Sequence, residues 1–521
     1  GLFARDFPKV RLVVTSRPYA YGSGWDLSEF QFKVTTLEPF SDEQIAFFID
    51  QWYTVMGQHD ITLGSERAQT FAVSLRRQIE GHRNLQEMAQ HPLLLTMMVY
   101  IHRGREGGAL PQRREELYRL CVVLLLDLWR RSKVTSGRET ETLADLLGMD
   151  TERLQKALAE VAFVAHRDQP EQQKTADIPG MVLAGILHKH KSKEGRVDMD
   201  EIIEYVRDRA GLLEDHGRNA DDSDDVYRFP HRTFQEYLAA MHMLEAADFP
   251  DQMVKLARQD PDRWREAVLL AMSAARPAMQ WAAVEALYGH RPVPEPATIC
   301  SDEEWWGAFL AGQVLVEAEM LVDVPDYRQT TLQQVRAWHE QLLILGKLTP
   351  RDRALAGQVL ASLGDPRQGV GVVQRNGTWV PDIAWGEEVP AGAYEVGGDR
   401  QAYKGLDRQN IAIERPYRLS RYPITNVQFD SFLEAGDRNN AEWWAGIPER
   451  EQSFRDPAFP FANHPRETVS WYQAVVFCRW LTDKFRSALP PGAEITLPHE
   501  YEWEVAARWP DGRAYPWGET F

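Results

Sequence analysis

Cysteine is scarce in this sequence. Three thiols, Cys121, Cys300 and Cys478, are scattered over 521 residues. They form neither a metal-ligand spacing nor a disulfide framework, which suits a reducing, cytoplasmic setting. Long apolar runs are missing too. The greasiest, Leu120–Trp129, is broken by Asp127 and falls well short of the ~20 residues that span a bilayer. No membrane is therefore expected as a partner, and no signal peptide is visible. Basic charge is in deficit: 59 Lys and Arg face 77 Asp and Glu, a formal net charge of −18. That balance argues against a broad nucleic-acid or anionic-membrane surface.

What is present is length enough for about three or four domains. A hydrophobic share of 44% with 26% charged residues describes a globular chain. The sequence opens on Gly1 and stops at Trp517-Gly518-Glu519-Thr520-Phe521, inside what reads as a fold. It is expected to be a fragment with further sequence on both sides.

The stretch Phe229–Ala240, FPHRTFQEYLAA, organises the N-terminal half. It follows the apolar strand Val226–Phe229. It then opens a helix through Thr233-Phe234-Gln235-Glu236, a T-x-x-E pattern of the capping-box kind. His231 stands just ahead of that helix N-terminus, where free amides and the helix dipole favour an anion. An imidazole there can donate to a phosphate oxygen. The local alternative is a turn histidine at a capped helix. Upstream, Arg11–Thr15 is a short apolar run suited to a buried parallel strand, and Pro18 cannot continue it. Arg17 would sit at the strand's carboxyl end, where open α/β sheets bind ligands; an ordinary surface arginine is the alternative. Ser41-Asp42-Glu43-Gln44 caps an amphipathic helix, Ile45–Trp52. In Arg83–Arg103, His91-Pro92 separates two helical pieces, with proline well placed to start the second. Leu117, Leu120, Cys121, Leu124, Leu125 and Leu128 have the spacing of a buried helix face.

FPHRTFQEYLAA resembles the F-x-H-x-[TS]-F-Q-E-[YF]-x-A-A segment that closes the winged-helix domain of NACHT-type signalling NTPases of the STAND class. VVTSRP resembles that family's sensor strand, and the P-L-L-L after His91 its helical domain. The resemblance implies that His231 contacts the β-phosphate of bound ADP and holds a resting form. It also implies that Arg17 senses the terminal phosphate and that Pro92 packs on the adenine. Residues 151–240 then read as a winged helix, with helices Arg153–Arg167 and Asp198–Arg209. Its wing strands would be Gly211–Glu214 and Val226–Phe229, around the acidic loop Gly217–Asp225. An acidic wing is ill suited to DNA phosphates and reads as regulatory.

Residues 241–366 show helical periodicity at Asp262–Ala275, Ala278–Gly289, Glu303–Met320, Thr330–Leu345 and Thr349–Leu363. They resemble HEAT-like stacked helix pairs. Trp305, Trp306 and Trp338 read as core anchors. Gly369–Asp382 reads as a linker or the entry to a further domain. Beyond it the composition shifts to aromatics, proline and short strands. Four segments carry the shift: VPAGAYEVGG from Val389, RYPITNVQF from Arg421, VSWYQAVVFCRWL from Val469, and LPHEYEWEVAAR from Leu497, with YPWG from Tyr515. Together they resemble the formylglycine-generating-enzyme (sulfatase-modifying factor) family and imply its α+β, C-type-lectin-like fold. His499 departs from the small polar residue common there, and Cys478 reads as a helix-core thiol. The family's copper-binding cysteine pair would lie beyond Phe521.

The expected architecture is multidomain α/β plus α, ending in an α+β domain. Its parts are the C-terminal part of a P-loop NTPase core (1–50), a helical domain (51–150), a winged helix (151–240), HEAT-like helices (241–368), a linker (369–385) and an incomplete FGE-sulfatase-like domain (386–521). The resemblances imply a bacterial signalling or defence ATPase switching between ADP and ATP with Mg²⁺. Its phosphate-binding loop would lie upstream of Gly1. Self-assembly on activation is implied, with an FGE-like sensor or effector for an unknown protein or small-molecule ligand. One rival is a formylglycine-generating or related sulfur-oxidising enzyme, copper-dependent if the cysteine pair follows. The other is a non-catalytic, retroelement-diversified lectin-like binder on a helical scaffold. No catalytic residue and no metal ligand is named within the chain.

Overall fold

The computed structural model describes residues 35, 37–60, 62–130, 150–169, 176–191, 213–218, 225–229, 231–295, 297–375, 377–398 and 407–518. The strand expected at 11–15, Arg17 and the helix expected at 198–209 lie outside them. The chain divides into two compact units, one of residues 1–287 and 317–319, the other of 288–316 and 320–521.

The described part of the first unit is helical around one small sheet. Helix α1 (Asp42–His59) starts at Ser41, whose hydroxyl accepts from the Gln44 amide while Gln44 reaches back, closing a capping box. The helix runs unbroken across position 50, where a domain edge is expected from sequence. It packs on α2 (Gly64–Glu80) through Ile45, Ile49 and Tyr53. After α3 (Arg83–Ala89), α4 (Pro92–Gly104) carries proline at its first position, where no amide bond is lost. Helix α5 (Arg114–Arg130) buries Leu117, Tyr118, Cys121, Val122, Leu125 and Leu126. Leu120 and Leu124, expected on that face, are only half-buried. The stripe is turned because Tyr118 packs against aromatic rings of a later helix. Burial pushes the Cys121 thiol up to about 12, as an inert core group.

Helix α6 (Thr151–Asp168) is capped by Asp150. There follow β1 (Ile178–Pro179), α7 (Gly180–His190), β2 (Glu214–Arg218), β3 (Asp225–Arg228) and α8 (Arg232–Glu245). The three strands form an antiparallel sheet in the order β1-β3-β2. Of the first wing strand expected at 211–214, residues 211 and 212 lie outside the described residues, and β2 begins at Glu214. The ladder pairs Glu214 with Arg228 and Arg218 with Asp225, so the hairpin takes the polar residues 215–218 as strand. Pairing across a short connection, not local hydrophobicity, sets where that strand lies. The sheet's third member, β1, is only two residues long and carries no sequence signal. Helix α8 lies along α6 and buries Phe234, Gln235, Glu236 and Leu238. Helices α9 (Asp251–Gln259), α10 (Pro261–Ala274) and α11 (Pro277–Leu287) complete this unit.

In the second unit, α12 (Asp302–Glu317), α13 (Gln329–Ile344) and α14 (Pro350–Leu363) begin and end close to the expected positions. Trp305 and Trp338 are fully buried and meet edge to face at 5.2 Å. Trp306 is only half-buried. Gly312 lets α13 come close: a Cβ there would stand 2.3 Å from the His339 ring.

Residues 369–385 are not an open linker. Strands β4 (Val372–Arg375) and β5 (Thr378–Pro381) make an antiparallel hairpin. Its Val380 belongs to the aromatic core of Phe429, Phe432, Trp443, Trp444, Phe477 and Trp480. Of the glycines that suggest a linker, Gly377 lies at the hairpin's turn, while Gly369 is buried against Ala384. Two further antiparallel pairs follow: β6 (Trp385–Val389) with β9 (Tyr417–Ser420), and β7 (Gly392–Val396) with β8 (Gln409–Ile413). Helices α15 (Asn426–Leu433) and α16 (Trp471–Phe485) open with complete capping boxes, Thr425/Gln428 and Ser470/Gln473. Residues 495–498 join no ladder. Thr482 holds Ile495 instead, its hydroxyl accepting from the Ile495 amide at 2.8 Å and facing its carbonyl at 3.0 Å. Helix α17 (Glu500–Ala507) follows, and His499 at its start donates its amide to Glu502 at 2.8 Å.

Candidate functional site

Two helix starts of the first unit come together. At α4, His91 is the N-cap residue in an extended conformation, and its side chain caps no amide of its own helix. The backbone around it is fixed. The Phe40 amide donates to the Gln90 carbonyl at 3.0 Å, and the His91 carbonyl accepts from Leu95 at 2.9 Å. Gln86 also donates to Asp42 at 3.0 Å. Phe40 therefore lies against the turn that carries His91 and Pro92.

At α8, the N-cap residue is His231 rather than Thr233. The T-x-x-E box expected at Thr233 does not form. His231 Nδ1 accepts the Thr233 amide at 3.3 Å and lies 2.9 Å from the Thr233 hydroxyl. With Nδ1 engaged as acceptor, a neutral ring carries its proton on Nε2. Glu236 does not reach back over the helix start because it is buried and joined to Arg232 at 2.7 Å. Burial pushes its carboxyl up to about 7, against the pull of Arg232.

The rings of His91 and His231 lie 5.4 Å apart, centre to centre, at 60°. His91 is exposed and His231 half-buried, so both can be reached from solvent. Behind them, Thr233 also bonds the Tyr118 hydroxyl. Tyr118 packs edge-on to Phe234 at 6.0 Å and stacks on Tyr237 at 5.9 Å. Gln235 is fully buried. Its carbonyl oxygen accepts the Ala176 amide at 3.1 Å, and its amide group meets His166 Nδ1 at 3.0 Å. His166 in turn donates through Nε2 to the Arg263 carbonyl at 2.9 Å. Burial lowers the His166 pKa to about 4, so this ring is a neutral structural link. The F-Q-E segment thus fixes α8 to α6 and α10 and holds His231 from behind.

The sequence-predicted site residues therefore fall as follows. Pro92 and His231 begin two helices whose N-cap rings touch, while Arg17 lies outside the described residues. His91, Thr233, Gln235 and His166 carry no site role in the sequence reading. The one available signal was a second histidine directly before Pro92.

In the second unit, Cys478 packs against the aromatic core, and burial pushes its thiol up to about 11. Copper(I) needs exposed thiolate donors. The cysteines present do not fit that role: Cys121 and Cys300 are buried as well. Among the described residues no group of three or more His, Cys, Asp or Glu is placed to hold a metal ion. No helix of the described residues is long and apolar enough to cross a membrane.

Comparison with known families finds two domains. Residues 114–243 match the winged helix-turn-helix domain C-terminal to NACHT. Residues 387–521 match the sulfatase-modifying factor enzyme 1-like, or FGE-sulfatase, domain. The chain carries both domains. Among individual proteins, it is similar to the uncharacterized protein YfmG of Bacillus subtilis, 27% identical over 145 residues, covering 26% of this chain and 27% of that protein. A formylglycine-generating enzyme of Thermomonospora curvata is 28% identical over 168 residues, covering 25% of this chain and 51% of the enzyme. A hercynine oxygenase of Mycobacterium tuberculosis is 27% identical over 126 residues, covering 20% of this chain and 27% of that protein. The chain thus spans between about a quarter and a half of the length of these relatives.

Proposed function

We propose that this chain belongs to a bacterial STAND-type signalling ATPase in which a NACHT module switches between ADP-bound rest and ATP-bound assembly. The observation that carries the reading is the meeting of His231 with the His91-Pro92 turn. A ring fixed at Nδ1 by Thr233 stands beside a second helix start, a setting suited to a phosphate. His231 would hold the β-phosphate of ADP and Pro92 would pack on the adenine, while Arg17 would sense the terminal phosphate. The nucleotide, with Mg²⁺, supplies the charge that separates the two states. In this reading residues 1–50 come from the NTPase core, residues 241–368 are HEAT-like helices, and the FGE-sulfatase domain is a lectin-like sensor or effector for an unidentified protein or small molecule. The setting is cytoplasmic, and activation drives self-assembly. His231→Ala in the full-length protein should loosen ADP retention, read as nucleotide released from the purified protein, and raise the assembled fraction in light scattering. Unchanged ADP retention overturns the role given to His231.

A second reading, favoured by the names of the relatives, is a formylglycine-generating or related sulfur-oxidising enzyme. A third is a lectin-like binder without catalysis. Mass spectrometry of a cysteine-containing sulfatase-type peptide after incubation with the protein separates them: conversion of the thiol to an aldehyde supports the enzyme.

A further inference from the structure

We propose that Asp365, Arg367 and Asn463 form a clasp that locks the FGE-sulfatase domain to helix α14, so that the domain and that helix move as one body rather than about a hinge. The clasp stands apart from the nucleotide reading; that a ligand on the domain would be felt at α14 rests on the sensor reading. Residues 320–368 and the domain fall within one compact unit. A hinge needs a few residues whose backbone is free to turn. From Leu363 to Val370 the chain is instead held at short intervals. The Leu363 carbonyl accepts from Arg336 Nε of α13 at 2.6 Å. Asp365 takes the Arg367 guanidinium in a two-pronged bond, at 3.0 and 2.6 Å, and the Arg367 amide at 3.1 Å. The same guanidinium lies over the Tyr422 ring at 5.9 Å. The Gly369 amide donates to Asp382 at 2.8 Å, and the Val370 carbonyl accepts from Thr425 at 2.8 Å. Asn463 closes the clasp from the domain side. Its amide nitrogen donates to Asp365 Oδ2 at 2.8 Å and to the Gly357 carbonyl, inside α14, at 3.0 Å. A carboxylate and a carbonyl only accept, so the NH₂ end of the amide must face them. The backbone on either side of Asn463 is fixed in turn, the Ala462 and His464 carbonyls accepting the amides of Val427 and Asn426 at 3.0 and 2.8 Å. The Asp365 side chain is only 6% exposed. Burial alone would raise its carboxyl, yet the bonds from Arg367 and Asn463 bring it below its ordinary value, which keeps the clasp charged.

The test is timed trypsin digestion of the full-length protein, with amide hydrogen exchange read on α14 and α16. It needs neither nucleotide nor ligand, so failure of the clasp leaves the sensor reading standing. In wild type the bond after Arg367 should be cut at least about tenfold more slowly than the bond after Arg408, whose side chain is 70% exposed. Asn463→Asp keeps the side chain's shape but sets a second carboxylate against Asp365 and the Gly357 carbonyl. It should speed cleavage after Arg367 by about tenfold and raise exchange in the last turn of α14, while amides at 476–481 in α16 keep their rate. Asp365→Asn changes the clasp from the helix side and should act in the same direction. Gly357→Ala keeps the carbonyl and adds a Cβ in open space, so its cleavage should match wild type. Cutting of wild type after Arg367 as fast as after Arg408 overturns the clasp, because the segment would then be a hinge. Unchanged cleavage in both Asn463→Asp and Asp365→Asn overturns it as well. If Asn463→Asp quickens exchange in α16 too, Asp365→Asn decides: faster cleavage after Arg367 with α16 unchanged supports the clasp, and any other result overturns it.

Discussion

Two helix starts, one in each unit, satisfy the same backbone need by different chemistry. At α15 the protein supplies everything. Gln428 accepts the Thr425 amide at 3.0 Å and donates to the carbonyls of Gly369 at 3.1 Å and Asp382 at 2.7 Å. Thr425 donates to Val370 at 2.8 Å, and the next two amides go to His464 and Ala462 at 2.8 and 3.0 Å. That start is closed, and it knits the 372–381 hairpin to the aromatic core. At α8 the cap is an imidazole at a half-buried edge, with another imidazole against it. The closed start holds a domain together, whereas the start at His231 sets two rings side by side at the edge of the first unit.

The largest effect should come from breaking the closed start. Gln428→Leu orphans three buried backbone groups at once and should cost about 4 kcal/mol, read as a lower midpoint for the FGE-sulfatase domain in urea. A loss below about 1 kcal/mol would mean that the hairpin is held mainly by Val380.

The next test is acidity behind the open start. The Glu236 carboxyl is raised from 4.5 to about 7 by burial. The fold therefore binds a proton that the unfolded chain releases. Its contribution is full below pH 4.5 and is lost as pH rises through 7, up to about 3 kcal/mol. Unfolding free energy measured between pH 5 and 8 should fall in wild type, and Glu236→Gln should flatten the slope; an unchanged slope would remove Glu236 from the account.

A smaller effect separates cap from ligand contact. His231→Ala should destabilise the first unit by about 1 kcal/mol, while His231→Ser should leave it within a few tenths. Equal losses would mean that the ring packs rather than caps. The least perturbing probe is thiol labelling. Cys478, pushed up to about 11, and Cys121, pushed up to about 12, should react slowly with a thiol reagent at pH 8 and quickly in denaturant. Rapid native reaction at Cys478 would show that the face of α16 opens.

What the sequence made legible follows the range of the forces involved. The cap at Ser41 forms over three residues and is realised. Helices α10, α11, α12 and α14 begin at or next to their expected residues because each start carries its own proline or acidic first turn. Thr233/Glu236 has the same local form but fails, since burial and Arg232 claim the glutamate. The hairpin within 369–385 was opaque because its partners, Thr425 and Gln428, lie far along the chain. The contact between His91 and His231 was hidden for the same reason, although Pro92 and His231 were each marked by local pattern. Ring contacts across such distances leave no periodicity to read.

The hairpin has a practical consequence for anyone preparing the C-terminal half alone. The family match begins at 387, but a fragment cut there would discard the wall that Val380 builds and strand Gln428 without its carbonyls. Such a piece should precipitate or bind hydrophobic dyes. One that starts ahead of Gly369 should purify as a folded species, so the useful cloning boundary lies upstream of the homology boundary.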